Sequence, residues 1–186
     1  LMIRRPTRST PLSSSSASYV YKIQIINRKG WLIKTNIKEV ESVADHSYSA
    51  TTMAMVCSDI LNLDTEKVMK MMLIHDLPEA IIGDLLPGEN PNKSREENDA
   101  MTKILNNLPK EIQNNYIEIW EEFRKSESKE AMLVHEIDKL ELMMQLFAYK
   151  EHLSKKSINE FLRSSESKIN SKLTRDIFDN IVYELE

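Results

Sequence analysis

The stretch DTEKVMKMMLIHD, residues 64–76, decides which fold the sequence predicts. Asp64 or Thr65 can cap a helix here, because a side-chain oxygen at that position accepts a hydrogen bond from a free amide of the first turn. Apolar side chains then recur at steps of three and four residues and share one helix face with His75; they are Val68, Met71 and Met72. The stretch therefore predicts a buried helix that carries the imidazole of His75 and the carboxylate of Asp76 to the protein interior.

Helical patterns of this kind follow one another along the chain. Ser42 and Asp45 match a capping box that opens a helix to about Leu61. The other predicted helices cover residues 19–27 (ended by Lys29-Gly30), 95–106, 109–124, 130–149, 158–163 and 174–185. Three glycines in 186 residues favour helix over strand. Because no repeat or second domain is visible, we expect a single all-α domain, a helical bundle.

The segments between the predicted helices differ in composition. The segment DLLPGENPNKS, residues 84–94, is the longest predicted loop and a candidate site loop. Residues 1–18 are rich in Ser, Thr, Arg and Pro and lack helical periodicity. We interpret them as a disordered tail, an expression remnant or a targeting segment, and we place the domain at residues 19–186.

Charge and cysteine content narrow the function classes. Eight basic residues and no acid precede Glu39, so the first 38 residues carry +8, and the net charge of −4 leaves −12 for the remainder. The basic residues are not interleaved with aromatic ones, so we expect no nucleic-acid partner. No run of about 20 apolar residues is present, so we expect no membrane span. The single cysteine, Cys57, is compatible with a cytoplasmic location, or an organellar one if the tail is a native presequence.

Two further polar residues are predicted to point inward. His46 shares a helix face with apolar residues, namely Val43, Ala50, Met53 and Cys57. Asp138 has Val134 and Leu142 four residues away on either side. A single buried carboxylate can be explained by an arginine partner, since burial costs several kcal/mol without a partner. Three helices that each send His or Asp inward instead suggest one divalent transition ion (Mn, Co, Fe, Ni or Zn) with coordination positions open to substrate.

These residues carry a family resemblance. The order His46, His75-Asp76, Asp138 resembles the H...HD...D signature of the HD-domain phosphohydrolase superfamily. The strings ESVADHS (41–47), LIHDLPEAIIGDLLP (73–87) and HEIDKLELMMQ (135–145) resemble its 5'-deoxynucleotidase branch, over residues 19–186. The resemblance implies an HD-type helical fold, usually a homodimer, and the hydrolysis of deoxynucleoside 5'-monophosphates to deoxynucleosides and phosphate.

The resemblance also implies roles for individual residues. The metal ligands are His46, His75, Asp76 and Asp138, and His46 and Asp138 also face the substrate. Glu79 matches the acidic residue beside the scissile phosphate, a general acid or base. Asp84 matches a second catalytic acid, and the residues that begin there contact substrate: Asp84, Leu85, Leu86 and Pro87. Arg28 is matched to the phosphate and Trp31 to the sugar, although Lys29 and Gly30 separate the pair here.

Other interpretations stay open at this point. The same metal centre could act on a nucleoside triphosphate, a cyclic dinucleotide or an alarmone. A helical sensor or scaffold with a structural metal is an alternative from a different class. Glu79 and Asp84 could be surface acids at a helix end, and Arg28 could be a solvated residue. His135 and His152 are predicted to be exposed, with His135 a candidate to support Asp138 from behind.

Overall fold

A computed structural model of the chain describes residues 14–185. Within them ten α-helices follow in order: α1 (Ser14–Ile23), α2 (Lys29–Lys34), α3 (Val43–Leu61), α4 (Thr65–Ile74), α5 (Glu79–Ile82), α6 (Lys93–Leu105), α7 (Lys110–Lys125), α8 (Lys129–Tyr149), α9 (Lys155–Glu166) and α10 (Lys172–Leu185). A single 3-10 turn (Lys150–His152) links α8 to α9. The described part contains no β-sheet, only an isolated antiparallel bridge between Asn27 and Ser42. The predicted all-α fold is confirmed.

The centre of the bundle is α8, which packs against α3, α4, α7, α9 and α10. Its side chains are buried on several sides of the helix, as expected for an element surrounded by others; among them are Leu133, Val134, Ile137, Leu140, Met143 and Leu146. Asp138 lies in the middle of this run. The central helix of the bundle therefore carries one of the predicted ligands.

Local sequence sets the starts of α3, which contains His46, and of α4, which ends directly before His75. At α3, Ser42 Oγ accepts the Asp45 amide at 3.1 Å while Asp45 Oδ2 accepts the Ser42 amide at 2.9 Å, which confirms the predicted capping box. At α4, Asp64 Oδ1 accepts the Lys67 amide at 3.0 Å. A cap fixes the residue at which a helix begins, and so it fixes the helix face on which each later side chain lies. His46 therefore points into the core one turn after the start of α3.

The region before α3 differs from its prediction. The first helix ends at Ile23 instead of Asn27, and α2 begins at Lys29, where Lys29-Gly30 was predicted to end a helix. Glycine lowers helix propensity by about 1 kcal/mol, but α2 buries the indole of Trp31. The carboxylate of Asp84 also accepts the Lys29 amide at 2.5 Å, which satisfies one free amide at the helix start. Tertiary packing overrides the local signal here.

Other boundaries shift by a turn or less. Helix α9 extends three residues beyond its prediction at each end, and α6 begins two residues early, which is the usual scatter at helix ends. The first helix begins at Ser14, inside the segment predicted as a tail, whereas residues 1–13 lie outside the described part of the chain. None of the helices in residues 14–185 combines the length and apolar character that crossing a bilayer requires.

Candidate metal centre and its cleft

Two histidine rings meet where α3, α4 and α8 pack together. Both side chains are buried, and the ring centroids of His46 and His75 are 5.5 Å apart. His75 Nε2 lies 3.2 Å from Asp76 Oδ2, and His46 Nε2 lies 3.7 Å from the same oxygen. Asp138 Oδ1 approaches His46 Nε2 to 3.2 Å. The fold thus brings together the four residues predicted as ligands, which are spread over 92 positions of the sequence, from His46 to Asp138.

The hydrogen bonds of the two rings set their tautomers. His75 Nδ1 lies 2.6 Å from the carbonyl oxygen of Met72, and because a carbonyl only accepts, Nδ1 carries the proton. His46 Nδ1 is bonded in the same way to the carboxylate of Glu141. Both Nε2 atoms are buried and, despite the nearby carboxylates, make no hydrogen bond with the described residues. Two buried imidazole nitrogens beside a carboxylate are atoms that can ligate a divalent transition ion once they carry no proton.

The ligand atoms of His46, His75 and Asp76 all lie within 4.8 Å of one another. That spacing suits one ion, whose bonds to nitrogen and oxygen are about 2.0–2.2 Å long. Asp138 stands at the edge of this group, beside His46. Three protein donors and an edge carboxylate leave room for a water or a substrate oxygen.

The two aspartates carry their charge into this buried site. Burial opposes ionisation of Asp76, but His75 and Arg28 outweigh it and hold the pKa of that carboxyl well below its usual range. Arg28 Nη1 donates to Asp76 Oδ2 at 2.9 Å, so Arg28 is a half-buried ion-pair partner and not a solvated residue. Burial likewise opposes ionisation of Asp138, whose pKa is lowered by Lys139 at 2.7 Å and by His46. Both aspartates are therefore ionised before a cation enters.

The pKa of His46 depends on two neighbouring carboxylates, Asp138 and Glu141. Although burial and Arg28 oppose protonation, Asp138 and Glu141 raise the pKa of His46 to about 10. Without a metal, the ring therefore holds a proton on Nε2, at the position where an ion would bind. A metal ion and a proton compete for this nitrogen.

Glu79 is the first residue of α5 and only 4% exposed. Its Oε2 has no hydrogen-bond partner among the described residues. Burial, followed by the charges of Asp76 and Asp84, raises the pKa of Glu79 to about 10. At neutral pH this side chain is a carboxylic acid that faces a cleft, which is the state a proton donor requires.

The cleft has a volume of about 550 Å³ and opens over the aspartates. The predicted residues that line it are Arg28, Trp31, Asp76, Glu79, Asp84, Leu85, Leu86, Pro87 and Asp138. Of the predicted site residues, only His46 and His75 do not line the cleft; they lie behind its lining residues. Helix α9 supplies part of the lining through Phe161 and Ser164, with Lys168 just beyond its end. The sequence contained no motif that marked these three residues.

Packing and a hydrogen bond hold the indole of Trp31 in the wall of the cleft. The side chain is 1% exposed, packs against Phe161 at 4.6 Å between ring centroids and meets Tyr149 edge-on at 5.4 Å. Its Nε1 donates to Glu41 Oε1 at 2.6 Å. The indole therefore stiffens the wall of the cleft, with its own polar atom already bonded.

Two buried glutamates behind His46, Glu41 and Glu141, were missed in the sequence analysis, and His135 was placed wrongly. Glu41 and Glu141 were not assigned, although Glu141 lies four residues after Ile137 and seven after Val134, on a buried face of α8. That spacing was the available signal. The expectation of an exposed His135 is wrong: its ring stacks on Phe123 at 4.3 Å, and burial lowers its pKa. His152 is exposed as predicted.

Comparison with known proteins connects this geometry to a family. The model of the HD domain matches residues 20–179. The chain belongs to the HD domain family. HD domains are metal-dependent, and the buried His-Asp group of this HD domain is a set of residues that can hold an ion.

Curated relatives and a solved structure resemble this HD domain over most of its length. The 5'-deoxynucleotidase HDDC2 of Danio rerio is 39% identical over 153 residues, which are 80% of this chain and 76% of that protein. The 5'-deoxynucleotidase HDDC2 of Homo sapiens is 33% identical over 155 residues, 81% of this chain and 75% of that protein. A conserved hypothetical protein from Pyrococcus furiosus superposes with a TM-score of 0.77 at 31% identity, covering 92% of this chain and 99% of that one.

Proposed function

We propose that this protein is a metal-dependent 5'-deoxynucleotidase that hydrolyses deoxynucleoside 5'-monophosphates to deoxynucleosides and phosphate. One observation carries the proposal: the Nε2 atoms of His46 and His75 make no hydrogen bond with the described residues and lie behind a cleft lined by Glu79, a buried acid whose Oε2 also has no hydrogen-bond partner among those residues. The activity named for the curated relatives supports the choice of substrate.

His46, His75, Asp76 and Asp138 would hold the ion. When bound, a divalent ion supplies Lewis acidity, which lowers the pKa of a ligated water and polarises a phosphoryl oxygen. The donor set of two imidazoles and two carboxylates suits Mn, Fe, Co, Ni and Zn alike. The identity of the metal stays open within that group.

The chain's own residues supply binding and proton transfer. Arg28 presents a planar guanidinium whose fork donates two parallel hydrogen bonds to phosphate oxygens. Glu79 holds the proton that the leaving 5'-oxygen needs as its bond to phosphorus breaks. Asp84 accepts a hydrogen bond from the Lys29 amide and so fixes the start of α2 next to Arg28. It can also accept a hydrogen bond from a hydroxyl of the sugar. Leu85, Leu86 and Pro87 would then exclude water along the sugar side of the cleft.

A larger phosphate substrate is the second candidate, and the lysines of the cleft favour it. Lys34, Lys93, Lys139 and Lys168 line the cleft. Three of them pair with carboxylates: Lys34 with Glu160, Lys93 with Glu97 and Lys139 with Asp138. Because these pairs neutralise much of the positive charge, a monophosphate remains the preferred substrate.

The test is phosphate release from dAMP, AMP, dATP and a generic phosphodiester, with Mn²⁺ or Co²⁺ and with chelator. We expect metal-dependent release from dAMP that stops in chelator. No metal-dependent release from any deoxynucleoside monophosphate would refute the proposal. Equal rates on AMP and dAMP would remove only the deoxyribose preference, and faster release from dATP would favour the second candidate.

The proposed assembly is a homodimer. Exposed apolar side chains on α3 support it, because Tyr48, Val56 and Ile60 are all more than half exposed, a patch of the kind that marks a protein interface. Light scattering should give twice the chain mass, and Val56→Glu should give a monomer. A monomer in the unmodified protein would contradict this part of the proposal. The cytoplasmic location stays a prediction.

A further inference from the structure

Behind His46 lies a buried carboxylate that the proposed function does not use. Glu141 Oε2 is bonded to His46 Nδ1, on the opposite side of the ring from the metal cluster. The side chains of His46 and Glu141 are 0% and 4% exposed, so water does not compete for this contact. Glu141 lies on α8 one turn after Asp138, and His46 lies on α3. The bond therefore joins the two helices at the site.

The two histidines are held differently. The acceptor for His75 Nδ1 is the carbonyl of Met72, one turn earlier in the same stretch of chain. The acceptor for His46 Nδ1 is 95 residues away and charged. A carboxylate acceptor makes a ligating imidazole more basic and fixes its orientation more strongly than a neutral carbonyl does. His46 thus depends on a specific side chain, while His75 depends on backbone that any residue at position 72 provides.

A third carboxylate, Glu41, lies beside this pair. One potential ligand atom from each of Glu41, His46 and Glu141 falls within a 4.8 Å group, so the trio resembles a second metal site. Two contacts argue against that interpretation. His46 Nδ1 is already bonded to Glu141, and Glu41 Oε1 accepts the indole N–H of Trp31 at 2.6 Å. Burial, together with the charge of Glu141, raises the pKa of Glu41 to about 7. Glu41 can therefore take up a proton, which removes the charge repulsion between Glu41 and Glu141.

We propose that Glu141 is a positioning residue: it keeps the proton of His46 on Nδ1 and thereby aims Nε2 at the metal ion. This inference rests on the metal site of the proposed function, and it assigns that site a supporting residue on α8. Glu141 touches neither substrate nor ion. Its effect reaches the reaction only through His46.

Glu141→Gln tests the role, with Glu136→Gln as the matched control. Glutamine keeps the size and an accepting oxygen but loses the charge. Glu136 is another buried glutamate on α8, where it accepts hydrogen bonds from Asn170, Ser171 and Thr174 at the start of α10. The readout is Co²⁺ binding to chelator-treated full-length protein by titration calorimetry, without nucleotide, together with the visible absorption of bound Co²⁺.

We expect Glu141→Gln to bind Co²⁺ about 10-fold more weakly, at the lower end of the 10–100-fold effects of such supporting residues. Its Co²⁺ absorption should also change. Glu136→Gln should lose thermal stability and keep both the affinity and the spectrum. An affinity of Glu141→Gln within twofold of the unmodified protein would overturn the proposal, as would an equal loss in Glu136→Gln.

A measurement on the unmodified protein covers the case in which Glu141→Gln does not fold. With four histidines in the chain, long-range ¹H–¹⁵N spectra of the Zn²⁺-loaded protein can identify the tautomer of His46. A proton on Nδ1 supports the proposal, and a proton on Nε2 overturns it. If Co²⁺ and Zn²⁺ bind but no nucleotide is cleaved, the proposed function fails while the role of Glu141 stands. If neither metal binds, both fail.

Discussion

Replacing Glu79 by glutamine separates proton donation from every other function of the site. The side chain is buried, its Oε2 makes no hydrogen bond with the described residues, and its pKa is raised by burial, Asp76 and Asp84. Glutamine has nearly the same shape and cannot supply the proton. Because Glu79 is not among the proposed ligands, Glu79→Gln should bind Co²⁺ with unchanged affinity.

The size of the effect follows from the protonation state. With a pKa of about 10, nearly every copy of Glu79 is protonated at neutral pH before metal binds. A bound cation lowers that pKa, so the basic limb of the activity profile should lie below pH 10. A positioned general acid contributes about 10²–10⁴-fold, which is roughly 3–5 kcal/mol of transition-state stabilisation at 1.36 kcal/mol per factor of ten. We expect kcat for dAMP to fall by that factor.

The assay compares two leaving groups. The 5'-oxygen of dAMP leaves as a strongly basic alkoxide unless it is protonated, whereas p-nitrophenolate leaves readily without a proton. Glu79→Gln should therefore lose far less activity on p-nitrophenyl phosphate than on dAMP, and it should lose the basic limb of its pH profile. Equal losses on the two substrates, or less than about a 10-fold loss on dAMP, would refute the assignment of Glu79 as the acid.

Three further predictions concern the metal and the fold. Chelation should lower the melting temperature. A metal ion at about 1,000 times its dissociation constant adds about 4 kcal/mol to the free energy of unfolding, which corresponds to roughly 8–16 °C for a chain of this size. Scanning calorimetry that shows no shift on chelation would contradict the metal site. Metal affinity should rise about tenfold per pH unit from pH 6 to 9. The reason is that His46, with its pKa raised to about 10, must release one proton when the metal binds. A Co²⁺ affinity that does not depend on pH would contradict this proton release. Glu136→Ala should destabilise the protein by about 2–4 kcal/mol, since the carboxylate accepts four hydrogen bonds at the start of α10. Urea unfolding measures that loss, and a change below about 0.5 kcal/mol would show that this cap contributes little.

Helical periodicity was sufficient to predict that His46 and Asp138 point toward the interior. His46 was recognised because it shares a helix face with Val43 and Ala50, and Asp138 because Val134 and Leu142 lie four residues away on either side. Spacing of this kind fixes a helix face regardless of the partner helix. The capping box at Ser42 was recognised for a similar reason, since its two hydrogen bonds join residues three apart. Helix faces and caps depend on residues only three or four positions apart, so a short window of sequence is enough to predict them.

Contacts between distant segments could be decided only by the tertiary structure. The sequence could not show that Glu141 bonds His46 or that Asp84 holds the start of α2, because these partners are 95 and 55 residues apart. Helix α2 forms against its glycine because burial of Trp31 outweighs a local cost of about 1 kcal/mol. The inward orientation of the proposed ligands His46 and Asp138 was thus determined by local helical phase. The tautomers of the histidines, the protonation of Glu79 and the α9 wall of the cleft depend on which helices pack together.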